Sequence, residues 1–224
     1  MANDHSRVNI LKPKIMIYGG TGLAKMLRET VEYYGCEVIA VFDDTPELTP
    51  PFKDIPLYKG KEFENWIVRQ DKSDLGFLIA IANPHGEVRL KFHERFINEG
   101  LTPITVAHYT AWVARDAEIG AGTHIDAGAI VMAQSTIGRQ CIIGPNTNIA
   151  HDDVLEDIVD TTVGVTICGN VFVRKNVWIG AGSIILPRIN IGCDAVVGAG
   201  AVVNKDVSTG TTVVGMPARP IAKK

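Results

Sequence analysis

A histidine followed by two aspartates, His151-Asp152-Asp153, is the clearest candidate for chemistry in this chain of 224 residues. Imidazole titrates near neutrality, so a histidine can take up and release a proton during a reaction. His151 is the third residue of a six-residue repeat, a position that predicts a corner of the fold with the side chain facing outward. Two interpretations follow: a general base oriented by Asp152 or another nearby carboxylate, or an ordinary surface histidine.

The six-residue repeat extends from Val113 to Val207 without an insertion. Sixteen successive hexad positions are aliphatic except for one threonine: Val113, Ile119, Ile125, Val131, Ile137, Ile143, Ile149, Leu155, Thr161, Ile167, Val173, Ile179, Ile185, Ile191, Val197 and Val203. Neither an α-helix nor a flat sheet has this period. A short fixed period is typical of a solenoid, in which each repeat buries its apolar face only against its neighbours.

The other hexad positions indicate a narrow triangular prism. The position after the aliphatic residue is often glycine, which we expect at the corner, and the fifth position is small or β-branched. Three hexads make one coil, so residues 18 apart occupy the same corner of adjacent coils, about 4.8 Å apart along the axis. This spacing places Gly169 directly above His151, and Ala199 above Ala181.

The first hundred residues follow a different pattern. Strands are predicted at Lys14–Tyr18, Val38–Phe42 and Phe77–Ala82, and helices at Leu23–Tyr34 and Glu87–Asn98. The succession of strand, turn, helix and strand is a βαβ unit, which predicts a parallel sheet.

A glycine turn, Gly19-Gly20-Thr21-Gly22, joins the first predicted strand to the first helix. Glycines let the backbone approach a phosphate, and the helix N-terminus favours the anion. Asp43-Asp44 closes the second strand, where acidic residues commonly accept hydrogen bonds from a ribose or a base. The turn lacks the full dinucleotide fingerprint, so a turn that only serves packing is the alternative.

Three polar residues follow the third predicted strand: Asn83, His85 and Arg89. They fall where a nucleotide or a sugar phosphate could lie. A helix cap is the alternative for Asn83.

Taken together, the two halves resemble the sialic acid O-acetyltransferase / nucleotide-sugar N-acetyltransferase family, and the resemblance covers nearly the whole chain after Pro13. It implies an α/β N-terminal domain with a small parallel, Rossmann-like sheet, followed by a left-handed parallel β-helix of hexapeptide repeats. It divides the chain into a polar N-terminal tail (1–13), a nucleotide-sugar-binding domain (14–106), an acetyltransferase domain (107–208) and a C-terminal tail (209–224).

The resemblance also implies roles for residues of the repeat. His151 and Asp152 match the family's catalytic pair. Gly169 matches a glycine whose N–H binds the thioester oxygen and would stabilise the oxyanion that develops there. The amides of Ala181 and Ala199 match the pantetheine path, with ordinary corner residues as the alternative.

Near the end of the chain, 215–219 matches a G-x-P-A-[KR] segment that ends many hexapeptide acyltransferases close to the nucleotide of CoA. Arg219 or Lys205 could therefore meet a CoA phosphate, because cations pair well with phosphate oxygens. A solvated surface charge is the alternative for each.

Two positions depart from the family. Leu23 follows the last glycine of the turn, where the family often has histidine. Asp160 lies nine residues after His151, where the family often has a second histidine that contacts the acceptor. Asp160 could pair with the ammonium group of an amino sugar, or it could cap a turn.

The resemblance implies an acetyl-CoA-dependent N-acetyltransferase that acts on a nucleotide-linked amino (dideoxy) sugar by direct attack, without a metal, in a homotrimer with active sites between subunits. The alternative is an O-acetyltransferase for sialic acid or another sugar.

A metal-dependent hydratase needs clustered histidines, yet His124 and His151 are one and a half coils apart. A catalytically dead scaffold disagrees with the intact His151-Asp152 pair. The nucleotide (UDP, dTDP or GDP) and the position of the amine, C3 or C4, stay open.

Composition adds limits to these interpretations. The net charge of −3 provides no basic footprint for nucleic acid or for a membrane surface. The polar segment Met1 to Lys14 does not fit a signal peptide, and no apolar run reaches transmembrane length. The four cysteines form no CxxC pair and no metal-ligand spacing, so reduced core residues are expected. These features are typical of a cytoplasmic protein.

Overall fold

The computed structural model describes residues 11–221. Most of the predicted N-terminal tail (1–13) and the last three residues of the predicted C-terminal tail (209–224) therefore lie outside the described residues. Within the described part of the chain, no helix is both long and apolar enough to cross a membrane.

A parallel sheet of five strands forms the N-terminal part. Its elements are β1 (Lys14–Tyr18), α1 (Gly22–Tyr33), β2 (Glu37–Phe42), β3 (Leu57–Tyr58), a 3-10 turn (Gly60–Glu62), α2 (Phe63–Ile67), β4 (Leu75–Ile79), α3 (Gly86–Asn98) and β5 (Thr102–Pro103). The strand order is β3-β2-β1-β4-β5, and every pair is parallel. The carboxyl ends of β1, β2 and β4 therefore meet at one edge.

The elements predicted from the sequence are all present in this domain. The third strand is displaced, because β4 ends at Ile79 and residues 80–85 cross the edge of the sheet instead of extending it. The prediction missed β3, α2 and β5. These elements are two to five residues long, which is too short for a periodic signal.

From Val106 the chain winds into a three-sided prism of very short strands. They are β6 (Val106–Ala107), β7 (Trp112–Val113), β8 (Glu118–Ile119), β9 (His124–Ile125), β10 (Ile130–Val131), β11 (Thr136–Ile137), β12 (Ile142–Ile143), β13 (Asn148–Ile149), β14 (Val154–Leu155), β15 (Asp160–Thr161), β16 (Thr166–Ile167), β17 (Phe172–Val173), β18 (Trp178–Ile179), β19 (Ile184–Ile185), β20 (Asn190–Ile191), β21 (Val196–Val197), β22 (Val202–Val203), β23 (Thr212–Val214) and β24 (Arg219–Ile221). The predicted domain boundary at 106/107 falls inside β6.

These strands form three faces. Face A contains β7, β10, β13, β16, β19 and β22; face B contains β8, β11, β14, β17 and β20; face C contains β6, β9, β12, β15, β18, β21, β23 and β24. The chain passes from face A to face B to face C, which defines an A–B corner, a B–C corner and a C–A corner. Strands of adjacent coils pair in register 18 residues apart, as Asn148 with Thr166, so the predicted coil length is confirmed.

Aliphatic hexad residues line the axis of the prism, and those from Ile125 onwards are buried. Thr161, the one break in the series, is equally buried. Its hydroxyl oxygen accepts a hydrogen bond of 3.1 Å from the Gly144 N–H. The polar side chain is tolerated inside because its oxygen has a partner.

The corner conformation differs from the expectation. The residue with a left-handed backbone is the fourth of the hexad, not the glycine at the second position. Asp152, Asn170 and Arg188 show this with φ of 61°, 62° and 63°. Glycine is needed at the second position for lack of space, because a Cβ on Gly138 would lie 2.5 Å from the Asp157 nitrogen of the next coil.

The N-terminal domain packs against the B–C corner through α3. Two exposed ion pairs cross this junction: Arg139 with Glu94 at 2.9 Å, and Lys175 with Glu87 at 2.8 Å. At the other end, β23 pairs in parallel with β21 and in antiparallel with β24, so residues 209–221 extend face C.

Candidate active site

His151 lies at the A–B corner, between β13 and β14. Its Nδ1 is 2.6 Å from Asp152 Oδ2, and the two side chains are 62% and 44% exposed. A carboxylate can only accept, so this contact fits the neutral imidazole tautomer in which Nδ1–H donates to Asp152 and Nε2 carries the lone pair. The left-handed backbone of Asp152, which aspartate tolerates better than most residues, helps to aim its carboxylate at the ring.

Gly169 lies directly above His151, as the 18-residue spacing predicts. A Cβ on Gly169 would be 2.8 Å from both Cε1 and Nε2 of the His151 ring. The Asn170 N–H donates to the His151 carbonyl oxygen at 3.1 Å, and the neighbouring Gly169 N–H has no acceptor among the described residues. An unpaired amide therefore lies beside the free nitrogen of the imidazole.

A groove continues from this pair along the A–B corner. A cavity of about 260 Å³ is lined by His151, Gly169, Asn170, Pro187 and Arg188. A second cavity, of about 340 Å³, lies at the C-terminal end of the prism and brings Lys205 and Arg219 together. Lys205 is three coils above His151, roughly 14 Å at the spacing of neighbouring strands.

Arg188 is a residue of this groove that the sequence prediction missed. Its side chain is exposed and makes no hydrogen bond or ion pair with any described residue. The signal was available in principle. Arg188 is at the fourth hexad position, where the left-handed backbone favours glycine, asparagine or aspartate.

Ala181 and Ala199 stack one above the other, but at the C–A corner. Both are exposed, and neither amide has an acceptor within the described chain. Face A separates them from His151. One chain therefore does not bring the predicted pantetheine amides together with the predicted catalytic pair.

A cavity of about 460 Å³, here called the N-terminal cavity, opens at the carboxyl edge of the parallel sheet. Gly19, Thr21, Asp43 and Asp44 line it. Gly19 must be glycine, because its φ is 108° and a Cβ would lie 2.4 Å from the Ala80 carbonyl oxygen. Gly20 and Gly22 shape the turn behind the wall, and Gly22 is the first residue of α1.

The two aspartates of the cavity build its wall. Asp43 accepts hydrogen bonds from the Gly20 N–H at 2.6 Å and from the Thr45 N–H at 2.7 Å. Burial by itself would raise the pKa of Asp43, but the bonds from Thr45 and Gly20 outweigh burial and hold the pKa below its ordinary value. Asp44 accepts from the Tyr18 hydroxyl and from the Gly60 N–H, each at 2.8 Å.

The structure corrects the expectation for Asp160. Its carboxylate is buried and forms an ion pair with Arg89, and its Oδ2 also accepts the Asn83 N–H at 2.9 Å. No oxygen of Asp160 faces the N-terminal cavity as a partner for a sugar ammonium group. Asn83 likewise does not line that cavity; it lies at the junction of the two domains. His124 is buried on face C, far round the prism from His151.

Asp153 is buried at a fifth hexad position, directly after the His151-Asp152 pair. Its Oδ1 accepts the Val171 N–H at 2.8 Å, whereas its Oδ2 has no partner among the described residues. Burial raises the pKa of Asp153 to about 7. With this pKa the Asp153 carboxyl is protonated in mildly acidic solution.

Asp153→Asn is expected to gain stability relative to the wild-type protein as the pH rises from 4 to 8. An unfolded aspartate ionises near pH 3.9, whereas the folded one holds its proton until about pH 7. The unfolded chain thus binds fewer protons at this residue in this window, and the contribution of Asp153 to the stability of the wild-type protein falls as the pH rises. The difference in melting temperature between variant and wild type, measured from pH 4 to 8, checks this.

Asp116→Asn is the matched control, because Asp116 is an exposed aspartate of the same A–B corner. A difference between Asp153→Asn and wild type that stays flat with pH, like that of the control, would contradict the assignment.

Comparisons with known proteins agree with this architecture. Residues 14–96 match the PglD N-terminal domain, and residues 116–151 match the bacterial transferase hexapeptide (six repeats). PerB from Caulobacter crescentus, solved with CoA and GDP-perosamine, is 26% identical with a TM-score of 0.83 over 93% of this chain and 97% of that one. WeeI from Acinetobacter baumannii is 27% identical with a TM-score of 0.79, and the match covers 92% of this chain and 99% of WeeI.

The curated relatives named here match about half of this chain or less. The galactoside O-acetyltransferase of Lactococcus lactis is 30% identical over 49% of this chain and 54% of its own length. Nodulation protein L of Rhizobium meliloti is 42% identical over 45% of this chain and 56% of its own length. The chain spans 42% and 25% of two further relatives, so it covers about half or less of the curated relatives it matches.

Fold and site together define a protein with a left-handed parallel β-helix of hexapeptide repeats behind a small α/β domain, as the sequence predicted. The matches to the PglD N-terminal domain and to the bacterial transferase hexapeptide confirm the resemblance of the chain to the sialic acid O-acetyltransferase / nucleotide-sugar N-acetyltransferase family.

Proposed function

We propose that this protein is an acetyl-CoA-dependent N-acetyltransferase that acetylates the amino group of a nucleotide-linked amino sugar. The observation that carries the proposal is the stacking of the His151-Asp152 pair under the unpaired amide of Gly169 at the A–B corner. PerB, which has the same architecture, is a relative solved with CoA and GDP-perosamine.

In the proposed reaction the amine of the acceptor attacks the thioester carbonyl carbon directly. His151 Nε2 takes the proton that the amine loses as the new C–N bond forms, and Asp152 stabilises the resulting imidazolium through Nδ1–H. When the C–S bond breaks, the imidazolium returns the proton to the departing thiolate. No residue of the enzyme forms a covalent intermediate.

The Gly169 amide has the role of an oxyanion donor in this scheme. As the tetrahedral intermediate forms, negative charge builds on the thioester oxygen, and a fixed N–H beside the base stabilises that charge without reorganisation. Glycine at this position keeps the amide accessible from the groove.

The groove of the A–B corner fits an extended cosubstrate. Its reactive end would lie at His151 and Gly169, and its phosphates would meet the cations of the second cavity, Lys205 and Arg219. Arg188 lies between these two ends as a further cation.

We propose a homotrimer, and the separation of the sites supports it. The catalytic pair is at the A–B corner, the pantetheine amides of Ala181 and Ala199 are at the C–A corner, and the N-terminal domain covers the B–C corner. Three-fold packing would bring the A–B corner of one subunit against the C–A corner of the next. The complete site would then contain residues of two subunits.

The N-terminal cavity is the proposed site for the nucleotide. Its glycine turn opens onto the N-terminus of α1, which favours phosphate, and its wall carries the carboxylates of Asp43 and Asp44.

An O-acetyltransferase for sialic acid or another sugar is the second candidate. The match to galactoside O-acetyltransferase favours it, because that relative acetylates oxygen. A hydroxyl acceptor would use the same base and the same oxyanion donor.

Thiol release from acetyl-CoA tests both candidates against a panel of UDP-, dTDP- and GDP-linked 3- and 4-amino sugars and free sialic acid. Turnover with one amino sugar, lost in His151→Ala, is the expected result. Turnover with sialic acid alone would establish O-acetylation instead. Absence of CoA binding would contradict the acyltransferase proposal itself.

A further inference from the structure

The segment of residues 80–85 connects β4 to α3 and forms part of the wall of the N-terminal cavity. Ala80, Ile81, Ala82 and His85 all line that cavity. Among residues 11–221 the segment has no sheet partner over its middle, so its position depends on contacts from outside the sheet.

One end of this segment is held by the guanidinium group of Arg89. This side chain is fully buried. Its Nη1 donates to the Ile81 carbonyl oxygen at 2.6 Å, and its Nε donates to the Gln140 carbonyl oxygen at 2.8 Å. Arg89 thus ties the cavity wall to the B–C corner of the β-helix.

The next residues are held by Asp160, on β15 of face C. Its Oδ2 accepts the Asn83 N–H at 2.9 Å and Arg89 Nη1 at 3.2 Å, and its Oδ1 pairs with Arg89 Nη2. The ion pair therefore holds one carbonyl and one amide of residues 81–83 from the β-helix side.

Stability of the domain junction does not explain this arrangement well. A buried ion pair loses so much hydration that an apolar pair of similar volume is often as stable. The exposed pairs Arg139–Glu94 and Lys175–Glu87 also join α3 to the β-helix, and neither involves a residue of the cavity wall.

We propose that Arg89 and Asp160 are positioning residues for the acceptor: through the Ile81 carbonyl and the Asn83 amide they fix the wall of the N-terminal cavity in the shape that binds the nucleotide. This inference rests on the proposed function, which takes the N-terminal cavity as the nucleotide site. In this role Asp160 acts through the Asn83 backbone amide and does not contact the substrate directly.

The test is a double variant, Arg89→Met with Asp160→Leu, which replaces the pair by apolar side chains of similar length and leaves no buried charge. Glu94→Gln is the control, because it removes an ion pair of the same junction while Arg139 keeps Asp157. Binding of UDP, GDP, dTDP and CoA is measured by calorimetry on the full-length protein, together with the melting temperature and the KM for each substrate.

The double variant is expected to keep its affinity for CoA and to melt at a somewhat lower temperature, because the Ile81 and Gln140 carbonyls and the Asn83 N–H lose their partners. Its affinity for the nucleoside diphosphate that binds the wild-type protein, and its kcat/KM for the acceptor, are expected to fall by about 10²-fold, the cost of a small misplacement of a binding group. Arg89→Lys is expected to fall between wild type and double variant, because an ammonium group cannot hold both oxygens in a fork. The control is expected to match the wild type.

Three outcomes would overturn the inference. If the folded double variant keeps the nucleotide affinity of the wild type, the inference is wrong and the proposed function is unaffected. Equal losses of nucleotide and CoA affinity would show a general structural role. A wild-type protein that binds CoA but no nucleoside diphosphate would remove the proposed acceptor class and the inference with it.

Discussion

His151→Ala is expected to lower kcat by about 10²- to 10⁴-fold, the usual contribution of a general base. The acceptor amine would then have to lose its proton to water while it attacks the thioester. The imidazole is exposed at a corner and packs against no core residue, so the variant is expected to fold with the melting temperature of the wild type. Steady-state kinetics at saturating acetyl-CoA and acceptor measure the effect.

Two further measurements separate a base from a binding residue. CoA affinity is expected to stay within a few-fold of wild type, because the groove cations and corner amides are untouched. Asp152→Asn is the matched variant, since it keeps the shape of the carboxylate and removes the charge that stabilises the imidazolium. It is expected to have an intermediate kcat. An activity of His151→Ala equal to wild type would make His151 a surface histidine and move the site elsewhere.

Gly169→Ala is expected to lower kcat/KM for acetyl-CoA by up to about 10²- to 10³-fold, the cost of losing an oxyanion donor, with smaller losses if the retained N–H stays accessible. The added methyl group would lie 2.8 Å from the His151 ring, so the ring must move or the groove must narrow over the amide. Folding is expected to be normal, because alanine occupies the same third hexad position at Ala121, Ala127 and Ala133.

Combining the two substitutions distinguishes the causes. If the methyl group acts only by displacing the ring, Gly169→Ala will add nothing to the loss in His151→Ala. If it also blocks the amide, the double variant will be slower than His151→Ala alone. A single Gly169→Ala variant with wild-type kcat/KM would exclude this amide from the reaction.

The sequence alone determined the architecture of the repeat and which residues of adjacent coils lie next to each other. A hexad series without insertions leaves a single register, because a slip by one residue would expose the aliphatic row of a whole face. Because the register is fixed, the 18-residue spacing alone predicted two contacts between adjacent coils. These are the contact between His151 and Gly169 and the stacking of Ala181 under Ala199. Strands β1 and β2 and helices α1 and α3 were predicted from local periodicity in the same way.

The tertiary structure decided what depends on elements far apart in the chain. The partner of Asp160 is Arg89, 71 residues away in another domain, and no local pattern reports such a pair. The left-handed backbone at the fourth hexad position, present from Gly122 to Gly200, arises from the closure of the corner, and side chains as different as Ile158 and Arg188 adopt it. The three corners that separate His151, the corner alanines and the N-terminal cavity follow from winding the chain around an axis, so only the folded coil shows which predicted site residues are neighbours.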